Sequence, residues 1–237
     1  ERFGTEILCE DVTESDLTGE IKVVKTGSGE TYEAKTVIVS TGAGYRELGV
    51  PREQELSGHG VSWCATCDGF FFREKVIAVV GGGDSAMEEA NFLTKFASKV
   101  YVIHRRDSLK ASEIMQKRSF DNEKIEFIWN SAITELKGSP KLDGVVLEDT
   151  VTGEKRDLAI EGLFVAIGSD PRVGLIENQV EISKDRFIKV DGRTSKTSLP
   201  GVFAAGDVID PIYRQAITAA GSGCVAALDA EHYLSSK

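Results

Sequence analysis

Apolar residues in this chain come in short runs that stop at glycine. Val76-Ile77-Ala78-Val79-Val80 ends at Gly81, the form of a strand buried on both faces. Ala86, Ala90, Leu93 and Phe96 follow at helical spacing, and residues 100–103 form the next apolar run. The pattern therefore reads strand, turn, helix, strand. Two further runs look alike, 36–43 and 162–169, each closing on a glycine. Each follows amphipathic alternations, at 19–25 and 31–34 before the first and at 144–148 and 158–160 before the second. A hairpin followed by a last parallel strand is how a doubly wound domain closes, so two closures predict two such domains. The tail is expected to hold strands at 188–190 and 201–205 and a helix over 213–234. Ala216, Ala219, Ala220, Gly223, Ala227 and Ala230 would allow that helix to pack closely.

The second closure has its glycine turn upstream, at Gly81. The same interval measured back from Gly42 falls ahead of residue 1, and residues 1–44 hold no Gly-x-Gly-x-x-Gly/Ala turn after a strand. The first domain's phosphate-binding βαβ unit is thus expected to lie outside the sequence, which begins with Glu and not Met. The predicted fold is α/β, with two doubly wound, three-layer Rossmann-like domains, the first incomplete at its N-terminus. Residues 1–44 and 171–237 would belong to that first domain and residues 45–170 to the second.

Composition narrows the function. Among 237 residues, 28 Lys and Arg face 38 Asp and Glu, a net charge of −10, which argues against a nucleic-acid or anionic-membrane surface. No apolar run nears the ~18 residues of a membrane span, and no signal-peptide pattern opens the chain. Four cysteines are too few for a disulfide-stapled secreted scaffold, so a reducing compartment, the cytoplasm, fits best. Against this acidic background the basic cluster His104-Arg105-Arg106 stands out.

Gly81-Gly82-Gly83-Asp84-Ser85-Ala86 fits the dinucleotide fingerprint after a strand and at a helix start. Gly81 allows the tight turn, Gly83 lets a pyrophosphate approach the backbone, and Ala86 permits close helix–strand packing. The helix N-terminus supplies free N–H groups for phosphate. The next strand ends in His104-Arg105-Arg106, where NAD enzymes usually carry an acid for the ribose hydroxyls. Arginine there suits a 2′-phosphate, which predicts NADPH.

Cys64-Ala65-Thr66-Cys67-Asp68-Gly69 is a CxxC. It reads as a redox disulfide, as half a zinc site, or as two structural thiols. Zinc needs four ligands, and no second CxxC or close His pair occurs. Asp68 directly follows Cys67, where a carboxyl can exchange protons with a dithiol; it can equally be the first residue of an Asp-Gly turn. Cys9 and Cys224 have no partner spacing and are expected to be small buried residues.

Together these motifs resemble the low-molecular-weight thioredoxin reductases. The resemblance rests on the blocks at 64–69, 81–90 and 104–107, on Phe-Val-Ala-Ile-Gly at 164–168 and Gly-Val-Phe-Ala-Ala-Gly-Asp at 201–207. Tyr-Arg-Gln-Ala at 213–216 and Ala-Ala-Gly-Ser-Gly-Cys at 219–224 complete it. It implies FAD as a second cofactor, with Val12, Gly206, Asp207, Arg214, Gln215, Ala216 and Ile217 around it. For NADPH it implies Gly81, Gly83, Asp84, Ser85, Ala86, His104, Arg105, Arg106, Lys110, Ile167, Gly168 and Phe187. It further implies that NADPH reduces FAD, FAD reduces Cys64–Cys67, and the dithiol reduces thioredoxin. Cys64 would attack the partner, Cys67 would face the flavin, Asp68 would be the acid–base group, and the protein would be a homodimer. Hinges between the domains would lie at 44–49 and 169–172. Lys110 stands where many members carry Arg, and Ser169 where many carry His. The family's N-terminal FAD fingerprint is missing from the sequence, so this chain alone is expected to bind FAD poorly and to be inactive, although the full protein would be active. Two alternatives stay open: the same chemistry on another disulfide or on oxygen, and a non-enzymatic NADPH-binding module.

Overall fold

The computed structural model describes residues 2–237. The chain divides into two compact units, Glu1–Gly44 with Asp170–Lys237, and Tyr45–Ser169. The first unit begins with β1 (Val12–Asp16), β2 (Lys22–Thr26) and β3 (Thr31–Ala34), an antiparallel sheet in that order. Gly29, at φ +91°, lets the β2–β3 turn close with its N–H on the Thr26 carbonyl at 2.9 Å. β4 (Val37–Val39) leaves this sheet, and β5 (Ala43–Tyr45) leads into the second unit.

The second unit runs β6 (Val61–Ser62), α1 (Ala65–Asp68), a 3₁₀ turn Gly69–Phe72, β7 (Val76–Val80), α2 (Asp84–Leu93), β8 (Lys99–Ile103), α3 (Glu113–Phe120) and β9 (Ile125–Ile128). Then come β10 (Ser131–Lys137), β11 (Gly144–Asp149), β12 (Lys155–Ala159) and β13 (Gly162–Val165). Five strands form a parallel sheet in the order β6-β13-β7-β8-β9, and β10-β11-β12 form an antiparallel sheet. Strand alternation decides what packs where. Ile77 and Val79 join Val100, Val102 and Phe164 beneath Ala86, Met87, Ala90 and Leu93 of α2. Ala78, Ile103, Leu163 and Val165 face the other way, onto Ile133, Leu136, Val145 and Leu147 of the antiparallel sheet. The unit is thus three layers: helices, parallel sheet, antiparallel sheet.

β14 (Ser169–Pro171) pairs with β5. The first unit then resumes with β15 (Val202–Ala204), parallel to β4, a 3₁₀ turn Gly206–Val208 and α4 (Ala216–Ser235). Ala226 and Ala230 of α4 bury against Phe203 and Ala205.

Four expectations are corrected here. Residues 188–190 form no strand; Ile188 makes one isolated bridge to Ile182 and is apolar because its side chain is buried in the core with Val173 and Val208. α4 starts at Ala216 and not at 213, because the Asp210 carboxylate binds the N–H groups of Ile212, Tyr213 and Arg214 at 2.8–2.9 Å and Arg214 sits at φ +48°. Its small residues do not all pack: Ala216, Ala220 and Ala227 are exposed. Cys9 and Cys224 are exposed too. Cys9 lies in the irregular segment before β1, and Cys224 is off the helical stripe that Ala226 and Ala230 define.

Phe164 is fully buried on β13 and meets Phe72 edge to face at 5.2 Å. Phe164→Ala should destabilise the second unit by about 3–5 kcal/mol, read as a lower midpoint in urea unfolding followed by Trp63 and Trp129 fluorescence.

Candidate active site

Cys64 and Cys67 form a disulfide with Cα atoms 5.3 Å apart. β6 delivers them to the carboxyl edge of the parallel sheet. Cys64 is the N-cap of α1, and its Sγ accepts the Cys67 N–H at 3.2 Å. Cys64 is half-buried and Cys67 exposed within the unit. Ser62, buried on β6, organises the pair. Its hydroxyl accepts the Cys64 N–H at 3.0 Å and donates to Asp68 Oδ2 at 2.6 Å. One hydroxyl thus fixes both the start of the dithiol segment and the carboxylate behind it. Asp68 closes α1 and is not the corner of a turn; Gly69 continues helical and is small because a Cβ there would meet Leu93 Cδ2 of α2 at 2.9 Å. The next residues, Phe70 and Phe71, are 58% and 70% exposed.

The glycine turn lies at the same sheet edge. β7 has β8 on one side and β13 on the other, which makes this the switch point where doubly wound sheets bind ligands. A Cβ on Gly81 would stand 2.4 Å from the Ala166 carbonyl oxygen and 2.6 Å from Ala86 Cβ. One on Gly82 would stand 2.3 Å from the His104 ring, whereas a Cβ on Gly83 would meet nothing within 4 Å. Gly83 therefore opens the cradle to an approaching phosphate, and the first turn of α2, with Ser85 exposed, provides N–H groups there. The Asp84 carboxylate is turned to Ser112, whose hydrogen bonds hold it below the usual Asp range.

Across the turn, His104 Nε2 is buried without a hydrogen-bond partner. Burial pushes its pKa down, and the charges of Arg105 and Arg106 push the same way. Arg105, Arg106 and Lys110 are exposed and, among the described residues, pair with no carboxylate. Ile167 and Gly168 follow β13 at the same edge, Gly168 at φ +107°. The structure therefore gathers Gly81 to Ala86, His104 to Lys110, Ile167 and Gly168 in one unit. Phe187 lies in the other unit, 7% exposed in its core.

In the first unit, Gly206 and Asp207 form the 3₁₀ turn after β15, which packs on α4. The Gly206 N–H is held by Ser222 Oγ at 2.9 Å. Gln215 caps α4 reciprocally with Thr218, and Arg214, Gln215, Ala216 and Ile217 lead into its first turn. Val12 opens β1 in the separate antiparallel sheet.

The model of the pyridine nucleotide-disulphide oxidoreductase family matches residues 2–223. Thioredoxin reductase of Streptomyces clavuligerus is 57% identical over 234 residues, 99% of this chain and 73% of the relative. That of Mycolicibacterium smegmatis is 58% identical, over 98% and 75%. The crystal structure of thioredoxin reductase from Streptococcus pyogenes superposes with a TM-score of 0.93 at 44% identity, covering all of this chain and 77% of that one. The chain belongs to the thioredoxin reductases. As a member, it is a disulfide oxidoreductase of a family that works with a flavin and a nicotinamide nucleotide, and Cys64–Cys67 fits the redox-active pair. Among the described residues no cluster of His, Cys, Asp or Glu could hold a metal, and no helix is long and apolar enough to cross a membrane.

Three residues of this thioredoxin reductase escaped the motifs: Ser62, Ser112 and Asp210. Each is a polar partner of a motif residue. The only signal for Ser62 is a hydroxyl two positions before the first cysteine, between apolar neighbours. Gly82→Ala should force the His104 ring out of its buried seat, so the His104 pKa should rise towards its ordinary value in an NMR titration. An unshifted His104 would show that the turn and not the ring gives way.

Proposed function

We propose that the protein reduces thioredoxin with NADPH, with FAD and Cys64–Cys67 between them. The observation that carries this is the cluster of Ser62, Asp68 and the disulfide at the same sheet edge as an open glycine turn with unpaired cations beside it. The cradle fits a dinucleotide phosphate, since Gly83 is open and the donors are N–H groups and cations. The uncompensated Arg105, Arg106 and Lys110 suit a 2′-phosphate, two as planar forks and one as a point charge. In the first unit, Gly206, Asp207 and the start of α4 from Arg214 to Ile217 would hold FAD. Its open 3₁₀ turn fits this, because a Cβ on Gly206 would meet nothing nearer than Ala219 Cβ at 3.9 Å, and Val12 would serve through its backbone. FAD, when bound, takes hydride from NADPH and returns an electron pair to a disulfide.

The chain's own residues do the rest. Two electrons and two protons convert the Cys64–Cys67 disulfide to a dithiol. The Cys67 N–H directed at Cys64 Sγ favours negative charge on that sulfur, so Cys64 is the attacking thiolate. Its sulfur bonds to one sulfur of the partner disulfide as the other leaves with the bond's electron pair. Asp68, oriented by Ser62, supplies the proton to the departing thiolate. Asp68, now a carboxylate, takes the Cys67 proton; the Cys67 thiolate attacks Cys64 Sγ, which restores the intramolecular disulfide, and the partner's second sulfur leaves with the bond's electron pair and receives that proton. The exposed Phe70 and Phe71 give the partner an apolar surface beside the dithiol. The family resemblance supports a homodimer, and the cysteine usage supports the cytoplasm.

In the flavin-loaded protein, Asp68→Asn should lower thioredoxin turnover by about 10²–10⁴-fold, measured as NADPH consumption; turnover at the original rate would remove Asp68 from the mechanism. Phe71→Ala should raise KM for thioredoxin by about tenfold with KM for NADPH unmoved. Arg105→Ala with Arg106→Ala should raise KM for NADPH far more than KM for NADH; equal effects would defeat the assignment of NADPH.

A further inference from the structure

The segment bearing Arg105, Arg106 and Lys110 is tied down at both ends by groups that carry no positive charge. At its start, Thr150 Oγ1 donates to the Arg105 carbonyl at 3.0 Å. The Asn130 N–H donates to the Arg106 carbonyl at 3.2 Å, and the Thr150 N–H in turn donates to the Asn130 carbonyl at 2.7 Å. At its end, the Gly82 carbonyl accepts the N–H groups of Lys110 at 2.7 Å and Ala111 at 3.0 Å. Asp84 Oδ1 accepts the Ser112 N–H at 2.8 Å and the Ser112 hydroxyl at 2.9 Å.

Two of these side chains forgo their usual local role. Ser112 is the N-cap of α3, yet its hydroxyl makes no bond to that helix, although satisfying a free helical N–H is the ordinary use of serine there. Asp84 opens α2, the helix whose N-terminus faces the phosphate cradle. An ionised carboxylate only accepts hydrogen bonds, so it has nothing to offer a pyrophosphate and would repel one. Its Oδ1 is committed to Ser112 instead. Both side chains thus hold the basic segment against the glycine turn.

We propose that Asp84, Ser112 and Thr150 are positioning residues that set the preference for a 2′-phosphorylated adenosine nucleotide, by fixing the backbone that presents Arg105, Arg106 and Lys110. This rests on the reading of the second unit as an NADPH site. Three long cationic side chains on a loose loop would have to be ordered by the ligand, at a cost to affinity. With the loop clamped to β11–β12 at one end and to the α2 turn at the other, that ordering precedes binding. Only the 2′-phosphate depends on it, since the pyrophosphate is served by the turn itself.

The test is isothermal titration of the whole chain with 2′,5′-ADP and with 5′-AMP, which differ by the 2′-phosphate alone. Ser112→Ala and Thr150→Val should each weaken 2′,5′-ADP about tenfold and leave 5′-AMP within about twofold. Ser112→Thr, which keeps the hydroxyl, should bind as the unmodified chain does. Equal weakening of both nucleotides, or no weakening of either by both variants, would overturn the inference alone. Arg105→Ala with Arg106→Ala is the control for the underlying reading. If the unmodified chain shows no preference for 2′,5′-ADP, or if this double variant keeps it, the NADPH site falls and the inference with it.

Discussion

At Gly81 the turn after β7 passes so close to the end of β13 that a single added carbon would overlap the Ala166 carbonyl and the Ala86 methyl together. That approach fixes three things at once. It seats α2 on the helical face of the sheet, where Met87, Ala90 and Leu93 complete the core. It aligns the ends of β7 and β13 as neighbours, so Ile167 and Gly168 emerge beside the turn. It also leaves Gly82 directly under His104, which positions the start of the basic segment. The two carboxyl-edge features, turn and dithiol, are ordered because the strands beneath them are.

Charge is distributed to the same end. The chain is acidic overall, so a cluster of unpaired cations is a local exception in its field, and there an anion is attracted. Some of the other lysines and arginines find carboxylates, as Lys99 does with Glu126 and Lys137 with Asp157. These exposed pairs are worth little individually, but they show that partners are available on the surface. Arg105, Arg106 and Lys110 are left without them beside a helix N-terminus. His104 is half-buried beneath them, and its desolvation, with the neighbouring arginine charges, lowers its pKa.

Much of this was legible in the sequence because it depends on local rules. The run Val76–Val80 is a central strand, the glycines after it are a turn, and the alternation at 31–34 became β3 residue for residue. The CxxC left a redox disulfide, half a zinc site or two structural thiols open, and the structure pairs Cys64 with Cys67. What was missed depends on distant partners. Ser62 gains its role only because α1 folds Asp68 back onto it, and Ser112 only because α3 begins opposite Asp84. The same holds for errors in the opposite direction. The Ile188 run looked like a strand because burial, and not pairing, selects its apolar residues. The alanines of α4 suggested contact on all sides, although only the stripe through Ala226 and Ala230 meets a neighbour. Cys224, two positions off that stripe, faces outward for the same geometric reason.

Gly69 carries a mechanical consequence. Its missing side chain lets the dithiol segment rest on Leu93, at the far end of the helix whose near end follows the glycine turn. The paired sulfurs and the glycine turn are therefore joined by a helix ten residues long. Both rest on one helix of the second unit. A larger residue at 69 would act as a wedge under one end of that helix, and Leu93 is the position at which a compensating reduction in volume could restore the spacing.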